Sequence, residues 1–371
     1  MRPRIRIATV FDDSHFDVLT PMIMTMTRWA RMSEALADLG YAVDMIVNTR
    51  TSTLRERSHL RLVPFSQVEW ASYDVVKTLF HSGFAALAAH GGGDHPFIIA
   101  KLGSVVGGSD GIDGVHFSGA ERAGLFEVQQ DIDRRSRYVT VLTEPSRSLW
   151  KKEFGGRGRM LIVPTGVDRT IPPPRANPYR GFAEKIAVYI GTLYRATQRD
   201  INLLWQDKLN RLGHLLRKKQ IRLCVVGRGM TDHLDPDAVT YLGAVPNDRV
   251  WDHQYFAHAG VVLAQGAAQH NESSKIYYYL RTGLPVVSED PVPNNALIRE
   301  ANLGYVCAYG DDAMMAEMVD AATRVSWHRD DAIAYMLAHH TWDHRARIYA
   351  DLLQAEFGRG ASLDFDAPAM Q

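Results

Sequence analysis

The chain has 371 residues, 46% of them hydrophobic, with 42 basic and 42 acidic side chains and a formal net charge of +0. That length suits about two domains, and the balanced charge excludes the overall polyelectrolyte signature of a nucleic-acid binder. No apolar run reaches the ~18 residues a membrane span needs.

In chain order, "RIRIATVF" reads as a strand in place of a signal-peptide core. "TPMIMTMTRWARMSEALADLG" carries apolar residues at helical spacing and stops at Gly40, and "YAVDMIVN" is the next strand. A strand, helix and strand of these lengths predict a right-handed crossover in a parallel sheet. "YDVVKTLF", "PFIIAKL", "RYVTVLT" and "MLIVPTGVD" extend that sheet. "RTIPPPRANPYRG" follows, and three consecutive prolines fit an extended interdomain linker.

A second alternation then begins. "KIAVYIGTL", "IRLCVVGRGM", "VTYLGAV", "AGVVLAQ", "LPVVSED" and "GYVCAYG" are strands, with "DINLLWQDKLNRLGHLLRKKQ" as an amphipathic helix. "DDAMMAEMVDAATRV" and "TWDHRARIYADLLQAEF" are late helices, and "GRGASLDFDAPAMQ" is a frayed tail. The expected fold class is α/β, with two doubly wound Rossmann-like domains facing a cleft. The expected division is 1–170, 171–345 and a terminal helix and tail at 346–371. Ligands in such sheets bind at the carboxyl ends of the strands. Cys224 and Cys307 sit in apolar runs and read as buried thiols of a reducing compartment, so the expected location is cytoplasmic.

From about residue 138 to 350 the phrases "VLTEPSRSLWKKEFG", "MLIVPTGVD", "AVYIGTL", "LCVVGRGM", "SKIYYYLRTGLPVVSED" and "TWDHRARIYADLL" resemble, in order and spacing, those of GT-B glycosyltransferases. The resemblance implies a first domain that binds an acceptor and a second that binds a nucleotide-diphosphate sugar, UDP- or GDP-linked, as co-substrate with no further cofactor. Many retaining members carry two glutamates in the second domain. Counting back from Gly283, those places hold His270 and Tyr278. A lysine eight residues before that glycine, Lys275, preceded by Ser273 and Ser274, resembles the inverting glucuronosyltransferases of the xanthan pathway. Their acceptor-side Ser-Asp-Gly is similar to Ser109, Asp110 and Gly111.

The site residues follow from this register. Ser273, Ser274 and Lys275 open a helix whose free N–H groups suit a diphosphate; an ordinary serine cap with a solvated lysine is the competing reading. Gly191 and Thr192 end a strand where retaining relatives have Gly-Arg, and Arg195 or Arg199 stands in for that arginine or is a surface residue. Gly227, Arg228 and Gly229 form a tight turn that admits a nucleotide, with Met230 packing on the donor or in the core. Backbone groups of Gly243 to Val245 are expected at the base. Glu272 reaches the ribose or sugar, or compensates the helix dipole. Of three consecutive tyrosines, Tyr278 is expected at the cleft and the other two in packing.

Asp110 is the expected general base for an inverting transfer, against a turn reading of "GGSDGIDG". Asp113 and Glu121 are rivals, and His15 is a second base candidate by its near-neutral pKa. His340 and His344 are four apart on one expected helical face, but no third metal ligand accompanies them and no metal is expected. "TRTSTLRERSHLRLVPF", 49–65, either lies against anionic lipid, on the inner membrane face, or is a solvated basic loop or an acceptor-phosphate site. The expected partners are the donor and a saccharide or lipid-linked glycan, with no nucleic acid. A catalytically degenerate homologue that partners another glycosyltransferase is the alternative.

Overall fold

The computed structural model describes residues 4–12, 24–48, 59–107, 119–155, 159–193, 199–266 and 269–358. Two parallel sheets organise them. The first holds β1 (Arg6–Val10), β2 (Ala42–Val47), β3 (Leu60–Pro64), β4 (Val75–Leu79), β5 (Ile98–Lys101), β6 (Tyr138–Val141) and β7 (Arg159–Ile162) in the order β3-β2-β1-β4-β5-β6-β7. The second holds β8 (Lys185–Ile190), β9 (Ile221–Val226), β10 (Val239–Tyr241), β11 (Ala259–Val262), β12 (Val286–Glu289) and β13 (Gly304–Cys307) in the order β10-β9-β8-β11-β12-β13. Central strands such as "VVKTL" and "AGVV" are buried at every position, as parallel strands covered on both faces must be.

Helices cover the sheets. The first half contributes α1 (Met24–Asp38), α2 (Phe80–Ala89), α3 (Gly119–Arg135) and α4 (Glu144–Phe154). The second contributes α5 (Arg199–Arg217), α6 (Asn247–Tyr255), α7 (Ser274–Arg281), α8 (Ala296–Glu300), α9 (Asp312–Arg324), α10 (Arg329–His339) and α11 (Trp342–Phe357). No helix among the described residues is long and apolar enough to cross a membrane.

The proline segment carries no regular structure from Ile171 to Asn177. It is anchored on the second domain by Tyr179, whose hydroxyl donates to His253 O at 2.9 Å. The chain crosses back at Thr341, which forms a parallel bridge with Val167. Helix α11 then packs on the first domain: Trp342, Ala346, Tyr349 and Leu353 join Trp29 and Tyr41 in one core. The return therefore begins at Trp342, four residues before the division expected at 346. His340 follows the end of α10 while His344 belongs to α11, so the two histidines do not share a helical face. Arg345 Nη2 lies 2.7 Å from His340 Nδ1, and burial pushes the His340 imidazole down to about 4.

The described part of the basic stretch 49–65 is taken up by the first sheet. Residues 60–64 are the edge strand β3, and Leu60, Leu62 and Phe65 face the core. Arg61 forks onto Asp44 at 2.8 and 2.6 Å. Alternation within the strand, with Leu60 and Leu62 inward and Arg61 outward, accounts for the order of these described residues. Residues 49–58 lie outside the described set.

Candidate functional site

A cavity of about 370 Å³ opens between the domains. Its floor is the carboxyl ends of β8 and β9, where Gly191, Thr192, Gly227 and Arg228 lie. Ala244 and Val245 after β10, and Asn247, Val250, Trp251 and Gln254 of α6, form one wall. Ser274, Lys275, Tyr278 and Tyr279 of α7 form another, and Met24, Thr27 and Arg28 of α1 close it from the first domain. Strand order reverses at β8, which has β9 on one side and β11 on the other, so the cavity sits where an open α/β sheet parts to admit a ligand. A larger cavity, about 610 Å³, lies at the opposite end of the second sheet, where arginines pair with acidic neighbours, as in Arg222–Glu184 at 2.6 Å and Arg324–Asp320 at 2.8 Å.

Helix α7 begins without a side-chain cap, although Ser273 occupies the N-cap position. Ser273 N donates instead to Asn294 Oδ1 at 2.8 Å, and Asn294 Nδ2 returns a bond to Ser273 O. An uncapped helix start keeps N–H donors available for an anion. Of the three expected residues, Ser274 and Lys275 line the cavity and Ser273 does not. Lys275 Nζ rests 4.8 Å from the Tyr189 ring centre and 5.5 Å from that of Trp205. A Cβ on Gly191 would stand 2.7 Å from Lys275 Cε, so the glycine makes room for the lysine. No carboxylate pairs with Lys275 among the described residues, and burial pushes its amine down to about 8.

The glycines after β9 also have a reason within the protein, beside the place of Gly227 on the cavity floor. A Cβ on Gly227 would stand 1.8 Å from Gly191 O, and one on Gly229 1.6 Å from Leu193 O. The close approach is between two turns of the protein, joined by Gly191 N to Val226 O at 2.9 Å and Leu193 N to Arg228 O at 2.7 Å. Gly227 also has φ 151°, outside the range L side chains favour. Gly227→Ala is therefore expected to lose at least ~2 kcal/mol in urea unfolding; a loss under about 0.5 kcal/mol would show that the turn yields cheaply. Met230 O accepts from Asn202 Nδ2 at 3.2 Å, and neither Met230 nor Gly229 lines the cavity. Gly243 O accepts from Gly227 N at 2.9 Å, so that carbonyl is occupied within the protein, while Val245 lines the wall.

The three tyrosines divide by direction. Tyr277 OH donates to Glu272 Oε2 at 2.9 Å. Tyr279 OH accepts from Ile190 N at 2.9 Å. Tyr278 packs 5.5 Å from Trp251, and its buried hydroxyl pKa is raised chiefly by burial. Glu272 is buried, and its Oε1 accepts from Thr165 N at 2.7 Å and from the Thr165 hydroxyl. Both its oxygens thus tie α7 to the crossing segment.

A second cavity of about 410 Å³ adjoins on the first-domain side. Arg28 lines both; His81, Ser82, Ser104, Gln265, Asn271 and Glu272 add polar groups, and Phe80, Leu125 and Leu142 add apolar faces. Asn271 Nδ2 donates to Ser104 Oγ at 2.7 Å, and Arg28 Nη2 to Thr165 Oγ1 at 3.0 Å, so both bridge to the first domain or the crossing segment. Sequence reading missed Arg28 and His81: local pattern shows only a charge within an amphipathic helix and a residue just after a strand. Asn247 and Trp251 carried one signal, a helix opening straight after the strand turn "YLGAVP".

Asp110, Asp113, His15 and Arg195 lie outside the described residues, as does the side chain of Arg199, whose backbone opens α5. Glu121 lies in the first turn of α3 and lines neither cavity. No group of three or more potential metal-binding side chains occurs among the described residues.

No family model matches the sequence, and no curated protein sequence matches it. Solved structures do. Sucrose-phosphate synthase from Thermosynechococcus elongatus superposes with a TM-score of 0.70 at 14% identity, covering 96% of this chain and 100% of that one. HepE from Anabaena, in complex with UDP and glucose, gives 0.69 at 14% identity over 95% and 100%. WaaG, a glycosyltransferase involved in lipopolysaccharide biosynthesis, gives 0.58 at 16% identity over 98% and 100%. Two facing parallel-sheet domains, with a last helix returned to the first, give this chain the fold of those proteins, the GT-B fold.

Proposed function

We propose that the chain transfers a glycosyl residue from a nucleotide-diphosphate sugar to a hydroxyl of a saccharide or lipid-linked glycan, with inversion and without a metal. One observation carries this. The cavity at the strand ends presents Arg28, Arg228 and Lys275, and no carboxylate is among its lining residues. Such a site favours a polyanion, and a uncapped helix start with a buried amine favours a diphosphate. HepE, of similar fold, was crystallised with UDP and with UDP-glucose.

In this reading the base lies against Ala244, Val245 and Trp251, the diphosphate at Ser274 and Lys275, and the acceptor in the second cavity. Transfer places negative charge on the departing diphosphate as the glycosidic bond forms. Lys275 and the α7 amides, already oriented in a partly dry site, stabilise that charge. Histidine at 270 and tyrosine at 278 in place of paired glutamates support inversion and the resemblance to xanthan-pathway enzymes. The donor would be UDP- or GDP-linked and the transferred group a hexosyl or uronosyl residue, in the cytoplasm.

A thermal-shift screen of nucleotides and nucleotide sugars tests donor binding. A true donor at a hundred times its dissociation constant stabilises by ~2.7 kcal/mol. Sugar transfer to oligosaccharide acceptors then tests the reaction, and a chain that binds donors but transfers to none of them counts against it.

The amine also sets a pH dependence. Lys275 titrates near 8 in the empty site, and a bound diphosphate raises that value. Binding therefore takes up a proton above about pH 8. Affinity for UDP is expected to be level below that point and to fall by up to about tenfold per pH unit above it. A dissociation constant unchanged between about pH 7 and about pH 10 would remove Lys275 from the phosphate site.

A further inference from the structure

His81 is the second residue of α2, directly after β4, and lines the second cavity. The residue before it, Phe80, has φ 60°, a left-handed conformation that is unfavourable for a non-glycine residue. Gly103 accommodates that turn, since a Cβ there would lie 2.5 Å from Phe80 Cε1. The turn that delivers His81 to the cavity is thus held against strain by its surroundings.

Behind the imidazole stands Gln129 of α3, fully buried. Its Oε1 accepts from Val106 N at 2.8 Å and its Nε2 donates to Val106 O at 2.7 Å. A backbone amide can only donate and a carbonyl can only accept, so this pair fixes which way the glutamine amide points. The atom it turns to His81 is the oxygen, 3.2 Å from Nε2. An acceptor facing Nε2 requires the proton there, and a neutral ring then carries its lone pair on Nδ1.

We infer that His81 Nδ1 is the general base that takes the proton of the acceptor hydroxyl, and that Gln129 is the positioning residue that sets its tautomer. The inference rests on the transfer reading above. In the step, the acceptor oxygen attacks the anomeric carbon while its proton passes to Nδ1. The bond from that carbon to the phosphate oxygen breaks, and its electron pair leaves on the nucleoside diphosphate. The resulting imidazolium, with N–H on both nitrogens, returns its proton to water. Burial lowers the His81 pKa and keeps the ring neutral beforehand. The charged groups on the same cavity are Arg28, which opposes protonation, and Glu272, whose oxygens are engaged by Thr165 and Tyr277.

Two measurements on the full-length chain decide it. Long-range proton–nitrogen correlation on ¹⁵N-histidine-labelled protein, with His81 assigned by loss of its signal in His81→Gln, is expected to show the Nε2–H form, and Gln129→Leu is expected to mix the tautomers. In transfer assays, His81→Gln is expected to lower kcat by about 10²–10⁴-fold with donor affinity unchanged. Gln129→Leu should lower kcat less, and Gln129→Glu should restore most of that loss. The introduced carboxylate stabilises the imidazolium, so Gln129→Glu must also move the acid limb of the rate profile to higher pH. Should His81→Gln fail to bind nucleotide, and so fail to fold, that shift in Gln129→Glu decides the matter. An Nδ1–H tautomer in the wild type, or an acid limb that does not move, overturns the inference. Wild-type transfer with unimpaired His81→Gln overturns the base alone, whereas a wild type that binds donor and transfers nothing overturns the transfer reading with it.

Discussion

Lys275→Met is expected to bind UDP and GDP about 10–150-fold more weakly than the wild type, and yet to melt at a higher temperature. The first half follows from what the amine meets. It is the cation at the open start of α7, and a charge-assisted hydrogen bond to phosphate is worth ~1.5–3 kcal/mol. The second half follows from what the amine lacks in the empty protein. Tyr189 and Trp205 offer ring faces, and among the described residues no carboxylate offers a charge. Holding a lysine near 8 instead of 10.5 corresponds to ~3 kcal/mol against the charged form. Methionine keeps the stem's packing and removes that burden. The folded-state pKa lies below the unfolded one, so the wild type loses stability as pH falls from about 10.5 towards about 8, and Lys275→Met should not. Titration calorimetry with each nucleotide, and melting of the empty proteins at about pH 7 and about pH 10, check both halves. Equal affinities would show that the diphosphate binds elsewhere; a lower melting temperature at about pH 7 would show that the lysine has a partner that compensates its burial.

Why Lys275 could be found from sequence, and Arg28 could not, comes down to where each signal lies. Lys275 belongs to one continuous phrase: polar helix start, apolar run, Gly283, strand. Each part has a local cause, and the strand ends it lies against are equally local. Arg28 sits mid-helix in "MTMTRWARMSEALAD" and looks like a side chain on the solvated face. It becomes a cavity residue only because the second domain stands opposite α1, which no local pattern encodes. The same holds for α11. Its amphipathic spacing predicts a helix, but the choice of sheet is tertiary, made by Trp342 and Tyr349 fitting beside Trp29 and Tyr41.

In two further places the structure adds a cause within the protein that local pattern does not show. Glycines after β9 permit close backbone approach, and here one approach is to the turn at Gly191 and Leu193, while Gly227 also lines the cavity. The leucines on either side of Arg61 in "HLRLVPF" mark an apolar face, that of an edge strand with period two, and Arg61 finds Asp44 across it. Composition reports that apolar and basic residues alternate; only the register says against what.

Lys208→Met is expected to destabilise the chain by ~3–5 kcal/mol, the largest single loss proposed. Lys208 Nζ on α5 donates to Glu289 Oε1 and Oε2 at 2.8 and 2.7 Å, with both side chains almost wholly out of water. Removing the lysine strands a carboxylate that cannot be solvated. The pair is more than two charges, because Glu289 also accepts from Ala264 N at 2.7 Å and Gly310 N at 3.0 Å. Those bonds fix the end of β11 and the entry to α9. Replacing both charges by apolar groups would orphan the two amides, so Lys208→Met with Glu289→Leu is expected to recover little. Lys208→Met with Glu289→Gln removes the net charge and keeps a carbonyl oxygen for an amide, and should recover more than half of the loss. Urea unfolding of the wild type and the three variants separates the two costs, charge burial and unsatisfied amides. A single variant within about 1 kcal/mol of wild type would show that water reaches Glu289. Because Ala264 precedes the segment that leads to Glu272 and Lys275, the recovered double variant should also regain nucleotide affinity if the proposed reading holds, which would tie a buried ion pair of the second domain to the geometry of the cavity at its strand ends.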